Sequence, residues 1–226
     1  REGECTVTTT STDPILSPTT GEPVDVVARR NRMGIWLCIV SDAAGTVSLL
    51  IAYAYLWSLN VNDSWAPKKG RWADDVLFWA IVAGMVVACA VLWWGVRGIQ
   101  AGHRGRLVGA ASLAGLVLVA MFVVQVWQLS TFPFDIQESA YTSATFWLAL
   151  SNAFHLALGS LLVLAVVNRT RTGRIAVGNS SHARLVAMWI TWLVVAAFLA
   201  SVFTTAMKAS RNTDPPAFQS LTPPSP

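Results

Sequence analysis

Long apolar runs separated by short polar segments make up most of the chain after residue 30. A helix needs about 20 mostly apolar residues to cross the hydrocarbon core of a bilayer. Five runs reach that length: about Met33–Leu59, Val76–Val96, Leu107–Leu129, Tyr141–Val167 and Leu185–Met207. None alternates as the strands of a membrane barrel do, and an open sheet would leave backbone groups unpaired in lipid. The pattern predicts an all-α polytopic membrane protein, a bundle of five transmembrane helices within residues 29–208.

Polar segments flank the predicted bundle at both ends. Residues 1–28 are rich in Thr, Ser and Pro, a composition that predicts a disordered tail. The Pro-rich residues 209–226 predict a second flexible tail. The first six residues, Arg1-Glu-Gly-Glu-Cys-Thr6, can be encoded by a purine run that resembles a ribosome-binding site, and Val7 could be a GTG start. We therefore expect residues 1–6 to be missing from the mature chain.

The basic residues predict the direction of the bundle. Of the 16 Lys and Arg residues, eleven fall on one side of the predicted spans: Arg1, Arg29, Arg30, Arg32, Arg97, Arg104, Arg106, Arg169, Arg171, Arg174 and Arg184. The other side holds Lys68, Lys69, Arg71, Lys208 and Arg211. Because cytoplasmic loops carry an excess of Lys and Arg, the N-terminus is predicted in the cytoplasm and the C-terminus outside.

Composition agrees with lipid as the main solvent. The chain is 54% hydrophobic and 12% charged, whereas soluble domains average about 25% charged residues. The net charge of +4 follows from the arginine-rich loops, so no nucleic-acid partner is implied. The three cysteines form no Cys-x-x-Cys pair and no Cys/His cluster, so neither a zinc site nor a disulfide framework is indicated.

Asp42 and His155 are the candidate polar site. Asp42 lies nine residues into the first span, about 14 Å from its cytoplasmic end at 1.5 Å per residue. His155, the one histidine inside a span, lies at a similar depth in the fourth span. Ionisable residues inside membranes usually face protein or water and mark functional paths. We therefore predict that the two side chains meet across spans one and four, with Asn152 one turn away and Ser41 beside Asp42; a purely structural role for each stays open.

Several chemistries lack the residues they need. A bis-histidine haem site requires two imidazoles inside the membrane, and a copper site requires several His or Cys ligands together. The phosphate-binding and dinucleotide-binding glycine motifs are missing as well. We therefore predict no catalytic, metal-binding or cofactor-binding residue in this chain.

Tryptophans and small residues mark predicted interfaces. Indole rings gather where lipid meets water, and the predicted interface anchors are Trp57, Trp65, Trp72, Trp127, Trp147, Trp93, Trp94 and Trp189. Small residues four apart allow close helix packing; the predicted pairs are Gly84 with Ala88, Gly105 with Gly109, and Ala111 with Gly115.

The first span carries the clearest resemblance to a known family. Its beginning reads Arg32-Met-Gly-Ile-Trp-Leu-Cys-Ile-Val-Ser-Asp42. It resembles the segment of haem–copper oxidase subunit III in which Gly, Trp, Ile, Ser and Glu recur at the same spacing. Gly34, Trp36, Ile39 and Ser41 fall in register, and Asp42 stands where the family has an intramembrane Glu.

The fourth span is similar to a second segment of that family. Ser151–Gly159 matches the helix that carries two histidines and a glycine, with His155 and Gly159 in register and Asn152 in place of the first histidine. Gln125 and Trp127 resemble the approach to that helix. The last span lacks the His and Asp that the family usually carries there, as expected of a divergent five-helix form.

The resemblance implies an accessory subunit of a cytochrome c or quinol oxidase in the inner membrane of a bacterium. Such a subunit would pack against oxidase subunits I and II, bind phospholipid at the interface and support proton uptake during electron transfer to oxygen. Haem and copper would belong to the partner subunits. A scaffold subunit of another membrane complex, including a nitric oxide reductase, and a small proton-coupled transporter are the alternatives.

Overall fold

The computed structural model describes residues 21–60, 64–68, 70–175 and 179–208. This part of the chain folds into five helices: α1 (Val24–Leu59), α2 (Asp75–Gln100), α3 (Arg104–Ser130), α4 (Ala140–Arg171) and α5 (Ser181–Ala206). All five are long and apolar enough to cross a membrane. The prediction of five long apolar helices in an all-α bundle is confirmed. Their length and composition are those of a multi-pass membrane protein. The side that each end faces stays a prediction.

The beginning of α1 differs from the sequence-based prediction. Residues 24–28, which we assign to a disordered tail from the sequence, form the first turns of this helix. Asp25 lies in the first turn, where a carboxylate is favoured by the helix dipole. Glu22 lies just before the helix, and its two carboxylate oxygens accept hydrogen bonds from Arg30, at 3.2 and 2.8 Å. Residues 1–20, with the expected start after residue 6, and residues 209–226 lie outside the described residues.

Helices α2, α3 and α4 pack on one another in sequence order, whereas α5 and α1 also pack on helices distant in sequence. Helix α3 lies between α2 and α4, and α5 contacts α2, α4 and α1. Gly84 lies opposite Met121 and Gly95 opposite Ala110, so α2 and α3 run antiparallel. Short loops connect the helices, so the beginning of α1 and the α2–α3 and α4–α5 loops lie at one end of the bundle. We call this the arginine-rich end, because it carries most of the arginines.

Close approach of α2 and α3 depends on glycine. A Cβ atom at Gly95 would lie 2.6 Å from the Cβ of Ala110, and one at Gly84 would overlap the Met121 side chain. At Gly105 and Gly109, in contrast, no heavy atom would lie within 4 Å of an added Cβ. Gly105 and Gly109 therefore make no close helix contact within the described part of this chain. The other use that the sequence allows for them, docking of another subunit, stays a prediction.

Aromatic side chains close the end opposite the arginine-rich end. Tyr53 and Tyr141 pack edge-on against Trp65, with ring centroids 5.1 and 5.7 Å from the indole. Trp65 is fully buried and donates a hydrogen bond of 2.9 Å to the carbonyl of Lys208. Its prediction as an interface anchor is wrong, because the indole packs inside the bundle and hydrogen-bonds to Lys208 instead of facing the interface.

Helix α1 is the least covered of the five. In its most apolar 18-residue stretch 11% of the residues are buried, against 33% in α2 and α3 and 44% in α4 and α5. It packs mainly on α4 and α5. The residues that it does bury are spaced by seven, four and three positions, as on one face of a helix; they are Ile39, Thr46, Leu50 and Tyr53.

Candidate functional site

Asp42 lies on the face of α1 that contacts α4 and α5. Ile39 and Thr46, one turn before and one turn after it, are both 8% exposed. Because a helix repeats every 3.6 residues, this spacing turns the carboxylate into the groove between the three helices. The Asp42 side chain remains 26% exposed along the edge of that groove.

The predicted meeting of Asp42 and His155 is confirmed. His155 Nε2 lies 3.0 Å from Asp42 Oδ1, and its side chain is 7% exposed. The two atoms form a hydrogen bond when Nε2 carries a proton, and a salt bridge when both ring nitrogens do. Similar depth in oppositely directed spans predicts this contact, because antiparallel helices of equal rise bring equal depths together.

A third member of the site, Trp192, was not anticipated. Its Nε1 donates a 2.6 Å hydrogen bond to Asp42 Oδ2, the carboxylate oxygen that His155 leaves free. Trp192 lies in α5, so one carboxylate from α1 is bound by donors from α4 and α5. A sequence signal existed: an indole N–H in the middle of an apolar span needs an acceptor, and the carboxylate of Asp42 lies at a similar depth.

Asn152 hydrogen-bonds to a neighbouring row of amide side chains instead of to the Asp42 carboxylate. Its Nδ2 donates to Gln125 Oε1 at 2.7 Å, and Gln125 Nε2 donates to Gln128 Oε1 at 2.7 Å. Gln125 and Gln128 are buried, at 0% and 2% exposure. We call Asn152, Gln125 and Gln128 the amide row; it joins α4 to α3 next to the Asp42 site.

The remaining motif positions divide between the interior and the surface. Gly159 is buried, and a Cβ there would lie 3.1 Å from Ile190 and 3.3 Å from Leu193, so this glycine lets α4 approach α5. Trp36 and Trp127 are 53% and 55% exposed. Gly34 and Ser41 are exposed on α1. Nothing in the fold of this chain requires these four residue types.

Two cavities adjoin the site along α1. One of about 400 Å³ opens at the arginine-rich end and is mostly apolar. It is lined by Arg30, Asn31, Gly34, Ile35, Cys38, Leu162, His182, Leu185, Val186 and Trp189. A much smaller cavity lies on the other side of the Asp42–His155 pair and contacts His155 and Asn152.

The arrangement is chemically suited to hold α1 against α4 and α5. Two donors satisfy the carboxylate, which lowers the cost of a charge that faces apolar surroundings. Among the described residues, no group of three or more His, Cys, Asp and Glu side chains is placed to hold a metal ion.

No protein-family model and no curated protein matches the chain. The resemblance to oxidase subunit III therefore depends on the motif positions of the first and fourth spans alone.

Proposed function

We propose that the chain is an accessory, non-catalytic subunit of the subunit III type in a respiratory haem–copper oxidase. It packs against subunits I and II in the inner membrane of a bacterium, with its N-terminus in the cytoplasm and its C-terminus outside. It binds phospholipid at the interface and supports proton uptake. Haem and copper are held by the partner subunits.

The observation that carries the proposal is the poor coverage of α1. This helix leaves one side exposed over its whole length and also holds an intramembrane carboxylate whose side chain is 26% exposed. Exposing a carboxylate to lipid is unfavourable. For an unpaired carboxylate at the centre of a membrane helix, the insertion cost is on the order of 2.5–3.5 kcal/mol. A partner helix against α1 would cover it, which supports a subunit of a larger complex.

The motif positions support the same proposal. Gly34, Trp36 and Ser41 resemble the family at the required spacing, and all three are exposed on α1. Because these residues contact little within the chain, their pattern fits contacts with another protein or with lipid. Asp42 and His155 then connect that outer surface of α1 to the interior of the bundle.

Affinity purification from native membranes in mild detergent tests the proposal. A reduced-minus-oxidised spectrum of the eluate is expected to show haem bands that co-elute with a large polytopic protein. The control is the same tag on an unrelated multi-pass protein of that membrane, which should bring down no haem. A haem-free eluate that still contains a stable polytopic partner would reject the oxidase assignment and favour a scaffold of another complex.

A further inference from the structure

A small cavity lies between α1, α4 and α5, directly beside the Asp42–His155 pair. Its volume is about 10 Å³, and a cavity of about 10–15 Å³ holds one water molecule. Its apolar lining consists of Leu49, Leu148, Ala196, Ala197 and Ala200, and its polar lining of Thr46, Ser151, Asn152 and His155. The pocket is open on one side, and its water-accessible space is the size of one water molecule.

One polar atom beside this cavity has no partner in the protein. Asn152 uses its Nδ2 to donate to Gln125, while its Oδ1 is buried without a hydrogen bond. A buried acceptor without a hydrogen bond is unfavourable, because it has lost its bonds to water and gained none in the protein. Since Oδ1 is an acceptor, its partner must be a donor, and water supplies two donors in the space of a single oxygen atom.

The other lining residues supply what a bound water also needs. Internal waters typically make about three hydrogen bonds to buried polar groups. Thr46 and Ser151 each carry a hydroxyl that can donate or accept, and the imidazole of His155 adds a ring nitrogen. Thr46 and His155 are 8% and 5% exposed, so bulk solvent does not supply these partners.

We propose that one water molecule is bound in this cavity and donates to Asn152 Oδ1. It joins the amide row of α3 and α4 to the group formed by Asp42, His155 and Trp192. The result is one hydrogen-bonded network across four helices, from Gln128 to Trp192, with the water at its centre. The site depends only on this chain and is independent of the oxidase assignment.

Water-edited solid-state NMR on the full chain in lipid bilayers tests the site. The chain has three histidines, so ¹⁵N-histidine labelling gives few signals, and the His155 ring is assigned by its loss in His155→Gln. We expect polarisation transfer from water to the His155 ring and, in an asparagine-labelled sample, to the Asn152 side chain. Absence of transfer to both groups would overturn the proposal.

A cavity-filling variant sharpens the test. Ala197→Val adds two methyl groups to the wall of the cavity and is expected to abolish the transfer to His155 and Asn152. The matched control is Ala44→Val, which places the same change on the exposed side of α1 and should leave the transfer intact. Unchanged transfer in a folded Ala197→Val chain would also overturn the proposal.

A density map provides a readout that needs no variant. At a resolution that resolves other internal waters, the proposal predicts a peak within hydrogen-bonding distance of Asn152 Oδ1, about 2.7–3.2 Å. A side chain or lipid atom in that place, or an empty cavity, would contradict it.

Discussion

At the scale of single residues, Asp42 is both the most costly and the most informative position. Its carboxylate interrupts an apolar helix, yet each oxygen has a donor on a different neighbouring helix. Hydrogen bonds to charged groups contribute about 1.5–3 kcal/mol each, more than those between neutral groups. These two hydrogen bonds therefore offset the cost of desolvating the Asp42 carboxylate and attach α1 to α4 and α5.

The Trp192 hydrogen bond can be removed without removing the ring. Trp192→Phe should lower the free energy of unfolding by about 1.5–3 kcal/mol through loss of the bond to the carboxylate, plus a smaller packing loss. Trp189→Phe is the matched control, because Trp189 Nε1 is buried without a partner. The measurement is thermal or denaturant unfolding in detergent micelles. Equal effects of the two substitutions would contradict a stabilising role for the Trp192–Asp42 bond.

Pairing of Asp42 and His155 predicts non-additive substitutions. Asp42→Leu leaves the donors on α4 and α5 without an acceptor, and His155→Leu leaves the carboxylate with one donor fewer. The double variant should cost less than the sum, with a coupling of about 0.5–3 kcal/mol, as for residues in direct contact. A double-mutant cycle on unfolding free energies measures this, and strict additivity would reject the pairing.

The sequence predicts this site in part. Equal depth identifies the Asp42–His155 contact because antiparallel helices fix it. Depth alone does not tell which way a side chain turns, so the sequence places Asn152 one turn from the pair without predicting its hydrogen bond to Gln125. Trp192 was missed because tryptophan is common at membrane interfaces and the contact depends on how α5 is rotated about its axis.

At the scale of elements, hydrophobicity predicts the five spans better than it predicts helix ends. An apolar run marks where a helix crosses lipid, whereas the helix continues until its terminal groups are capped. Helix α4 begins at a capping box, in which Ser139 and Thr142 exchange hydrogen bonds. Helix α2 is capped by Asp74, and α1 ends at Asn60 in the left-handed conformation. At these three ends the observed helix limits lie within one residue of the predicted ones.

The close contact between α2 and α3 at Gly95 leads to a prediction about this glycine. Gly95→Ala would bring its Cβ to 2.6 Å from that of Ala110, so the helices must separate. Overpacking of this kind typically costs about 1–3 kcal/mol, which unfolding in micelles would reveal. Gly109→Ala, on the open face of α3, is the control and should be near neutral. A neutral Gly95→Ala would show that the two helices are not in contact at this position.

At the scale of the whole molecule, the five helices are buried by their neighbours to different extents. Helices α2 to α5 share a continuous apolar core, whereas α1 packs mainly on α4 and α5 along one face. A helix attached in this way depends on a few specific contacts, of which Asp42 with His155 and Trp192 is the central one. The uncovered side of α1 carries the motif residues Gly34, Trp36 and Ser41. We propose that side as the surface on which a partner protein would dock.

The sequence predicts the number of helices, but it does not predict which surface of the bundle contacts another protein. Five apolar runs suffice for the bundle, because lipid requires every run of that length to be helical. The docking surface cannot be predicted in the same way, since lipid-facing and protein-facing residues in a membrane are equally apolar. Exposed polar and small residues on α1, such as Gly34 and Ser41, point to its uncovered side as the candidate docking surface.

Site-specific photo-crosslinking in native membranes tests the docking side of α1 most directly. A benzoyl-phenylalanine is placed at Leu37 or Val40, 66% and 62% exposed on α1, and in a control at Leu116, 69% exposed on α3. The account predicts a product from the α1 positions, identified by mass spectrometry as one haem-binding polytopic protein, and little or none from Leu116. Lipid adducts alone from the α1 positions, or a protein product from Leu116 only, would contradict it.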